Sequence, residues 1–171
     1  MAAKRLLDRT ITRMRLIRPL LLATAMFLAA APAYADFTVF VGKNQTPSSR
    51  TLRGFAAGSG QMIAFEFEYA NNGEDLEEAE PGLRTFFGNV LVQTPFSIFG
   101  FQPYATVGTG LYRETLDTRS ETAWSFNSGV GTKITLFGPL KARVDYRVLK
   151  LNGDPLYSTV HRVYSGIHLT F

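Results

Sequence analysis

Two clusters of charge in the 171-residue sequence have the types and spacing to do chemistry. Glu66 and Glu68 lie two apart in the apolar stretch 61–70, and Arg143, Asp145 and Arg147 alternate with Ala142, Val144, Tyr146 and Val148. Paired carboxylates are the acid and base of glycoside hydrolysis, but that chemistry needs an open cleft between them. Two glutamates two apart on a strand project side by side from one face instead. The pattern favours a salt-bridge network that fills a narrow space, with a gate in a small pore as the functional alternative. An acyl hydrolase would need a nucleophile, a base and an orienting acid. His161 has Ser158 nearby but no third member, and His168 has parity opposite to it. The stretch 71–83 carries Glu74, Asp75, Glu77, Glu78 and Glu80 without the oxygen-ligand spacing of a calcium loop, so it reads as a solvated loop that can bridge divalent cations weakly. There is no cysteine, which excludes disulfides and thiolate metal sites. No catalytic residue, cofactor or metal is assigned.

These side chains need elements to position them, and the period of the chain says which. From Asp36 onward the apolar residues recur every second position, with Gly and Pro as punctuation. Eight strands are expected, over residues 37–42, 50–57, 61–70, 84–94, 101–113, 125–136, 140–149 and 160–171. Connections after the odd strands (43–49, 71–83, 114–124 and 150–159) are polar and longer. Those after the even strands (58–60, 95–100 and 137–139) are short and carry Gly, Pro or both. Glu66, Glu68, Lys133, Arg143, Asp145, Arg147 and Arg162 all fall on the less apolar face by parity. Gly108, Gly110, Gly129, Gly131 and Gly166 share that face, as a narrow lumen filled by bulky charged groups requires. The other face is apolar enough to meet lipid. Phe86, Phe87, Trp124, Tyr146, Tyr157 and Phe171 are candidates for the headgroup level.

The N-terminus addresses the chain to export. Lys4, Arg5, Arg9, Arg13, Arg15 and Arg18 precede an apolar run from Leu20 to Ala31, and Ala33-Tyr34-Ala35 supplies small residues for a peptidase. Residues 1–35 are therefore a secretory signal cleaved after Ala35, and 36–171 the mature domain. The signal holds six of the 18 basic residues and one of the 14 acidic ones, leaving 12 against 13 and a net charge near −1. The basic character belongs to the precursor and is no argument for nucleic-acid binding. The mature part has no apolar run of the roughly 20 residues that a membrane helix needs. Either a soluble periplasmic domain or a barrel in the outer membrane remains. Arg143, Asp145 and Arg147 fit poorly in a soluble ligand-binding barrel with an apolar interior, and fit well in a polar lumen.

The alternating strands, the Gly-x-Gly pairs of strands five and six, the phrase Val144-Asp145-Tyr146-Arg147-Val148 and the aromatic last residue Phe171 together resemble the OmpA-like family of small outer-membrane β-barrels. The resemblance spans residues 36–171 and implies an all-β, eight-stranded antiparallel transmembrane barrel in the bacterial outer membrane. It implies outer-membrane lipid and lipopolysaccharide as surroundings, and barrel-assembly machinery engaging the strand that ends in Phe171. The expected role is structural or surface interaction with a lumen plugged by charge. A narrow pore, a lipid-modifying hydrolase and a soluble lipophile-binding barrel are the alternatives. Some small barrels modify lipid, but the His-x-Ser pairing of the barrel deacylases is missing here.

Overall fold

Alternation in the sequence becomes two faces of one sheet. On one strand Phe65 and Phe67 are 64% and 62% exposed, while Glu66 and Glu68 are 4% and 0% exposed. A sheet this polarised, with its charges on the hidden side, has no open-sheet solution that buries the charges and pairs every edge. It closes instead. The computed structural model describes residues 35–46 and 48–171; the predicted signal lies outside the described residues except for its last residue.

Eight antiparallel strands run β1 Ala35–Asn44, β2 Arg50–Gly60, β3 Ile63–Asn72, β4 Gly82–Gln93, β5 Phe101–Leu116, β6 Arg119–Phe137, β7 Leu140–Leu151 and β8 Thr159–Thr170. Each pairs with its sequence neighbour, and β1 pairs with β8 to close the barrel. The closing seam runs from Asp36↔Thr170 to Asn44↔Arg162. Phe171 lies one residue beyond β8, and its N–H still donates to Ala35 O at 2.8 Å. Both described chain ends therefore share one rim, here called lower, with the connections 61–62, 94–100 and 138–139.

Three sequence expectations need correction. The small residues Gly58, Ser59 and Gly60 are not a turn but the end of β2, and the turn is Gln61-Met62. Lack of a side chain marks turns in general, but at Gly58 it makes room: a Cβ there would lie 2.8 Å from Asp36 Oδ1. Residues 114–124 are not a loop. β5 and β6 continue through them as a paired hairpin, from Arg113↔Thr122 to Leu116↔Arg119, with only Asp117 and Thr118 as the turn. An apolar/polar alternation fades where both faces of a hairpin meet water, while the backbone ladder continues regardless. The lengths of the connections consequently do not alternate cleanly: after the odd strands they are 5, 9, 2 and 7 residues, and after the even ones 2, 7 and 2. Finally, Phe87 is buried inside the barrel, because Phe86 beside it faces out.

The interior is layered. Near the upper rim Leu83, Phe87, Tyr112, Leu149, Leu151 and Val160 form an apolar cluster. Phe40, Leu52, Ala56, Ala70 and Tyr164 form a second, and Ala64, Leu91 and Tyr104 a third. The charged groups are packed among these clusters.

Candidate functional site

All seven side chains expected in the lumen are buried there: Glu66, Glu68, Lys133, Arg143, Asp145, Arg147 and Arg162. β3 supplies the glutamates and β7 the facing arginines, and these strands are not sheet neighbours, so the contacts cross the lumen. Arg143 reaches both oxygens of Glu66, through Nη1 to Oε2 and through Nη2 to Oε1 at 3.2 Å. Its Nε–H is shared between Asp145 Oδ2 and the Tyr104 hydroxyl, each at 2.7 Å. Arg147 lies 3.1 Å from Glu66, 2.9 Å from Glu68 and 3.3 Å from Asp145. Arg162, on β8, lies 3.3 Å from Glu68 and donates to Asn44 Oδ1 at 3.0 Å and Thr85 Oγ1 at 3.2 Å. Lys133 stands apart from this knot, toward the lower rim, 3.4 Å from Asp36.

Asp36 was not among the expected lumenal residues. The side-chain pattern starts the first strand at Phe37, yet β1 already includes Asp36 and its parity points inward. With it, four carboxylates (Asp36, Glu66, Glu68, Asp145) face four cations (Lys133, Arg143, Arg147, Arg162). Buried charge is tolerated only when paired and hydrogen-bonded. Every member of this set has an opposite charge within 4.0 Å and at least one hydrogen bond, while Nη1 of Arg147 and Nη2 of Arg162 have no hydrogen-bond partner among the described residues.

Two tyrosines that the charge pattern did not single out complete the network. The Tyr164 hydroxyl donates to Glu68 Oε2 at 2.9 Å, and that of Tyr104 donates to Asp145. Their rings carry the guanidinium groups: Arg143 lies 5.1 Å from the Tyr104 centroid and Arg147 5.6 Å from that of Tyr164. Phe40 stacks on Tyr164 at 4.2 Å. Parity alone could have found both tyrosines.

Gly131 is opposite Tyr104 across β5 and β6, and a Cβ at Gly131 would fall on the Tyr104 ring. Gly131→Val should therefore push Tyr104 off Asp145 and cost about 1–3 kcal/mol, the usual range for overpacking. Gly73→Ala, where an added Cβ meets nothing within 4 Å, is the control and should stay within about 0.5 kcal/mol. Denaturant midpoints of the lipid-refolded barrel measure both.

The remaining expected residues lie elsewhere. Phe86, Trp124, Tyr146 and Phe171 are exposed on the outside, and Trp124 is within β6 rather than at a loop end. His161 also faces out, and its Nδ1 is 2.7 Å from the Tyr146 hydroxyl. His168 faces in, with Nδ1 2.8 Å from Thr38 Oγ1. Among the described residues no carboxylate comes within 4.0 Å of His161. The acidic loop is held rather than loose. Arg50 donates to Glu80 O at 3.0 Å and Gly73 O at 2.6 Å, and pairs with the Glu80 carboxylate at 3.2 Å.

Among the described residues the apolar cluster lies on the upper-rim side of the charges, and Arg143, Arg147 and Arg162 beneath it are fully buried. From below, a cavity of about 210 Å³ reaches Lys133 and Asp36, lined also by Gln93, Gln102 and Lys141.

No protein-family model and no curated protein sequence matches the chain. Solved structures do. The N-terminal β-barrel domain of Pseudomonas aeruginosa OprF aligns with a TM-score of 0.61 at 13% identity, over 80% of this chain and 96% of that one. Neisserial surface protein A aligns with a TM-score of 0.63 at 13% identity, over 80% of this chain and 94% of that one. Closure at eight antiparallel strands, an apolar exterior, a charged interior and these two likenesses agree on one architecture: the chain has the fold of the small, OmpA-like, eight-stranded outer-membrane β-barrels.

Proposed function

We propose that the protein is an outer-membrane barrel that acts by what it presents at the membrane surface, with a lumen closed to solutes. The observation that carries this reading is the balanced knot of Glu66, Glu68, Asp145, Arg143, Arg147 and Arg162 spanning the lumen beneath an apolar lid. An eight-stranded barrel is only wide enough for its side chains to fill. In this reading the lower rim is periplasmic, the upper connections face outward, lipopolysaccharide surrounds the barrel, and the strand ending in Phe171 is what the assembly machinery engages.

The upper connections are suited to contact because they are tied to one another. Asp117 N–H donates to Glu74 Oε2 at 3.1 Å, joining the 73–81 loop to the β5–β6 turn. Arg119 pairs with Asp154 at 3.2 Å, and Leu156 N–H donates to Glu114 Oε1 at 2.9 Å, joining that hairpin to the 152–158 loop. A surface already ordered loses less entropy on binding. Catalysis is not part of this reading, because His161 is bonded to Tyr146 and His168 to Thr38 inside the lumen.

Planar-bilayer recording of the refolded residues 36–171 tests the reading. Silence is expected from the wild type, with folding checked by heat-modifiable mobility. Discrete, steady openings would replace it with the narrow pore, for which the cavity below Lys133 would be the entrance.

A further inference from the structure

The outward-facing positions of the eight strands carry no Asp or Glu, and their only Lys and Arg residues are Lys43, Arg53, Arg84, Arg113 and Lys150. All five lie toward the upper rim. Three of them form one row. Arg53 is opposite Asn71, Asn71 opposite Arg84, Arg84 opposite Arg113. Directly below the row, two residues along each strand, come Phe55, Tyr69, Phe86 and Leu111, all on the outer face.

Such a row is unfavourable as it stands. Arg84 and Arg113 are like charges directly opposite each other on neighbouring strands, an arrangement that destabilises a sheet. No carboxylate among the described residues lies within 4.0 Å of Arg53, Arg84 or Arg113. The Nε of Arg84 donates to Asn71 Oδ1 at 3.2 Å, and the Nε of Arg113 to Ser120 Oγ at 3.2 Å. Both stems are thus fixed to the wall, while the terminal nitrogens of both have no partner among the described residues. Fixed guanidinium forks without a counter-ion are what a phosphate dianion recognises, through two parallel N–H···O bonds. The aromatic strip beneath would cover acyl chains. Phe55 and Tyr69 in it lie 5.6 Å apart between centroids, and Phe86 stacks at 6.2 Å on Phe67, the next outward residue below Tyr69 on β3.

We propose that Arg53, Arg84 and Arg113 form a binding site for a lipid whose headgroup carries a phosphomonoester, in the leaflet next to the upper rim. The site rests on the reading of the chain as a membrane-spanning barrel. Its failure would be distinguishable, since the barrel can fold in lipid and stay silent in conductance without preferring any headgroup.

The test uses the refolded mature chain in phosphatidylcholine nanodiscs doped with one of three probes: diphosphorylated lipid A, dephosphorylated lipid A, or phosphatidylglycerol. Native mass spectrometry counts the retained lipid. Diphosphorylated lipid A should be retained over both others, and Arg84→Gln/Arg113→Gln should weaken it roughly tenfold, as loss of charge-assisted bonds does. Lys150→Gln, on β7 away from the row, should leave it within about twofold. Inorganic phosphate at millimolar concentration should not displace it. A second readout separates binding from mere structure. Without probe lipid, Arg84→Gln/Arg113→Gln should unfold at the same denaturant concentration as the wild type or at a higher one, because a repulsion has been removed. Equal retention by the variant, equal retention of dephosphorylated lipid A or phosphatidylglycerol, displacement by inorganic phosphate, or a destabilised variant without probe would each overturn the proposal.

Discussion

Glu66→Gln combined with Glu68→Gln should lower the stability of the lipid-refolded barrel by about 3–5 kcal/mol, the cost of leaving a buried charge without its partner. The structure also says which of the two matters more. Glu68 is the only carboxylate within 4.0 Å of Arg162 among the described residues, at 3.3 Å, and it also meets Arg147 at 2.9 Å and accepts from Tyr164 at 2.9 Å. Glu66 shares its two arginines with Asp145, which stays when Glu66 is neutralised. Glu68→Gln alone should therefore account for most of the loss, and Glu66→Gln for the smaller part. Asn44 and Thr85 keep hydrogen bonds to Arg162 but bring no charge, so they cannot replace Glu68. A compensating change gives a sharper check. Glu68→Gln with Arg162→Gln removes both signs together and should cost less than Glu68→Gln alone, since an uncompensated charge is worse than none. Denaturant midpoints in vesicles measure all four variants. Midpoints unchanged in every one would mean that water, rather than opposite charge, solvates these groups.

How much of this was legible in the sequence differs by layer. Period two is a statement about one strand, and it survives folding because each strand of the barrel keeps one side to the lumen. Arg143, Asp145 and Arg147 could thus be placed on the lumenal side, and Glu66 and Glu68 opposite them, from parity and strand count. What parity could not supply was the apolar part of the interior. Phe87, Tyr112 and Leu149 lie on the lumenal side, where an alternation rule expects polar groups, and Phe86-Phe87 in sequence has no contrast to read. Strand ends were also hidden. The side-chain pattern starts strand one at Phe37 and reads 114–124 as a loop, although Asp36 and all of 114–124 except the turn Asp117-Thr118 are in paired ladders. In both cases the pairing is made by backbone hydrogen bonds, which side-chain pattern does not encode. The row of arginines was invisible for a related reason: Arg53, Arg84 and Arg113 become neighbours only through the register of four strands.

Val144→Arg should cost about 2–4 kcal/mol in a bilayer, the depth-dependent range for a cation at the midplane of a barrel's lipid face. Val144 is on the outer wall of β7 between Leu140 below and Lys150 above. Its nearest neighbours across the ladders are Thr132 and Ser165, so no carboxylate on the adjacent strands is opposite it. Lys150 marks the level at which this wall already accepts charge. Six residues of strand separate it from Val144, about 20 Å along the chain, which is too far for an arginine to reach out of the apolar belt. Val148→Arg, two residues below Lys150, is the internal comparison and should cost no more than about 1 kcal/mol. The measurement is unfolding free energy in vesicles of two acyl-chain lengths. The cost at Val144 should fall as the bilayer thins and its edge approaches, while the cost of Glu68→Gln should not change, because the lumen does not sense bilayer thickness. Equal costs at Val144 and Val148 would mean that the outer belt is not in hydrocarbon. A thickness dependence at Glu68 would mean that the lumen is not sealed from the wall. One barrel with an inside and an outside predicts that the two substitutions respond independently.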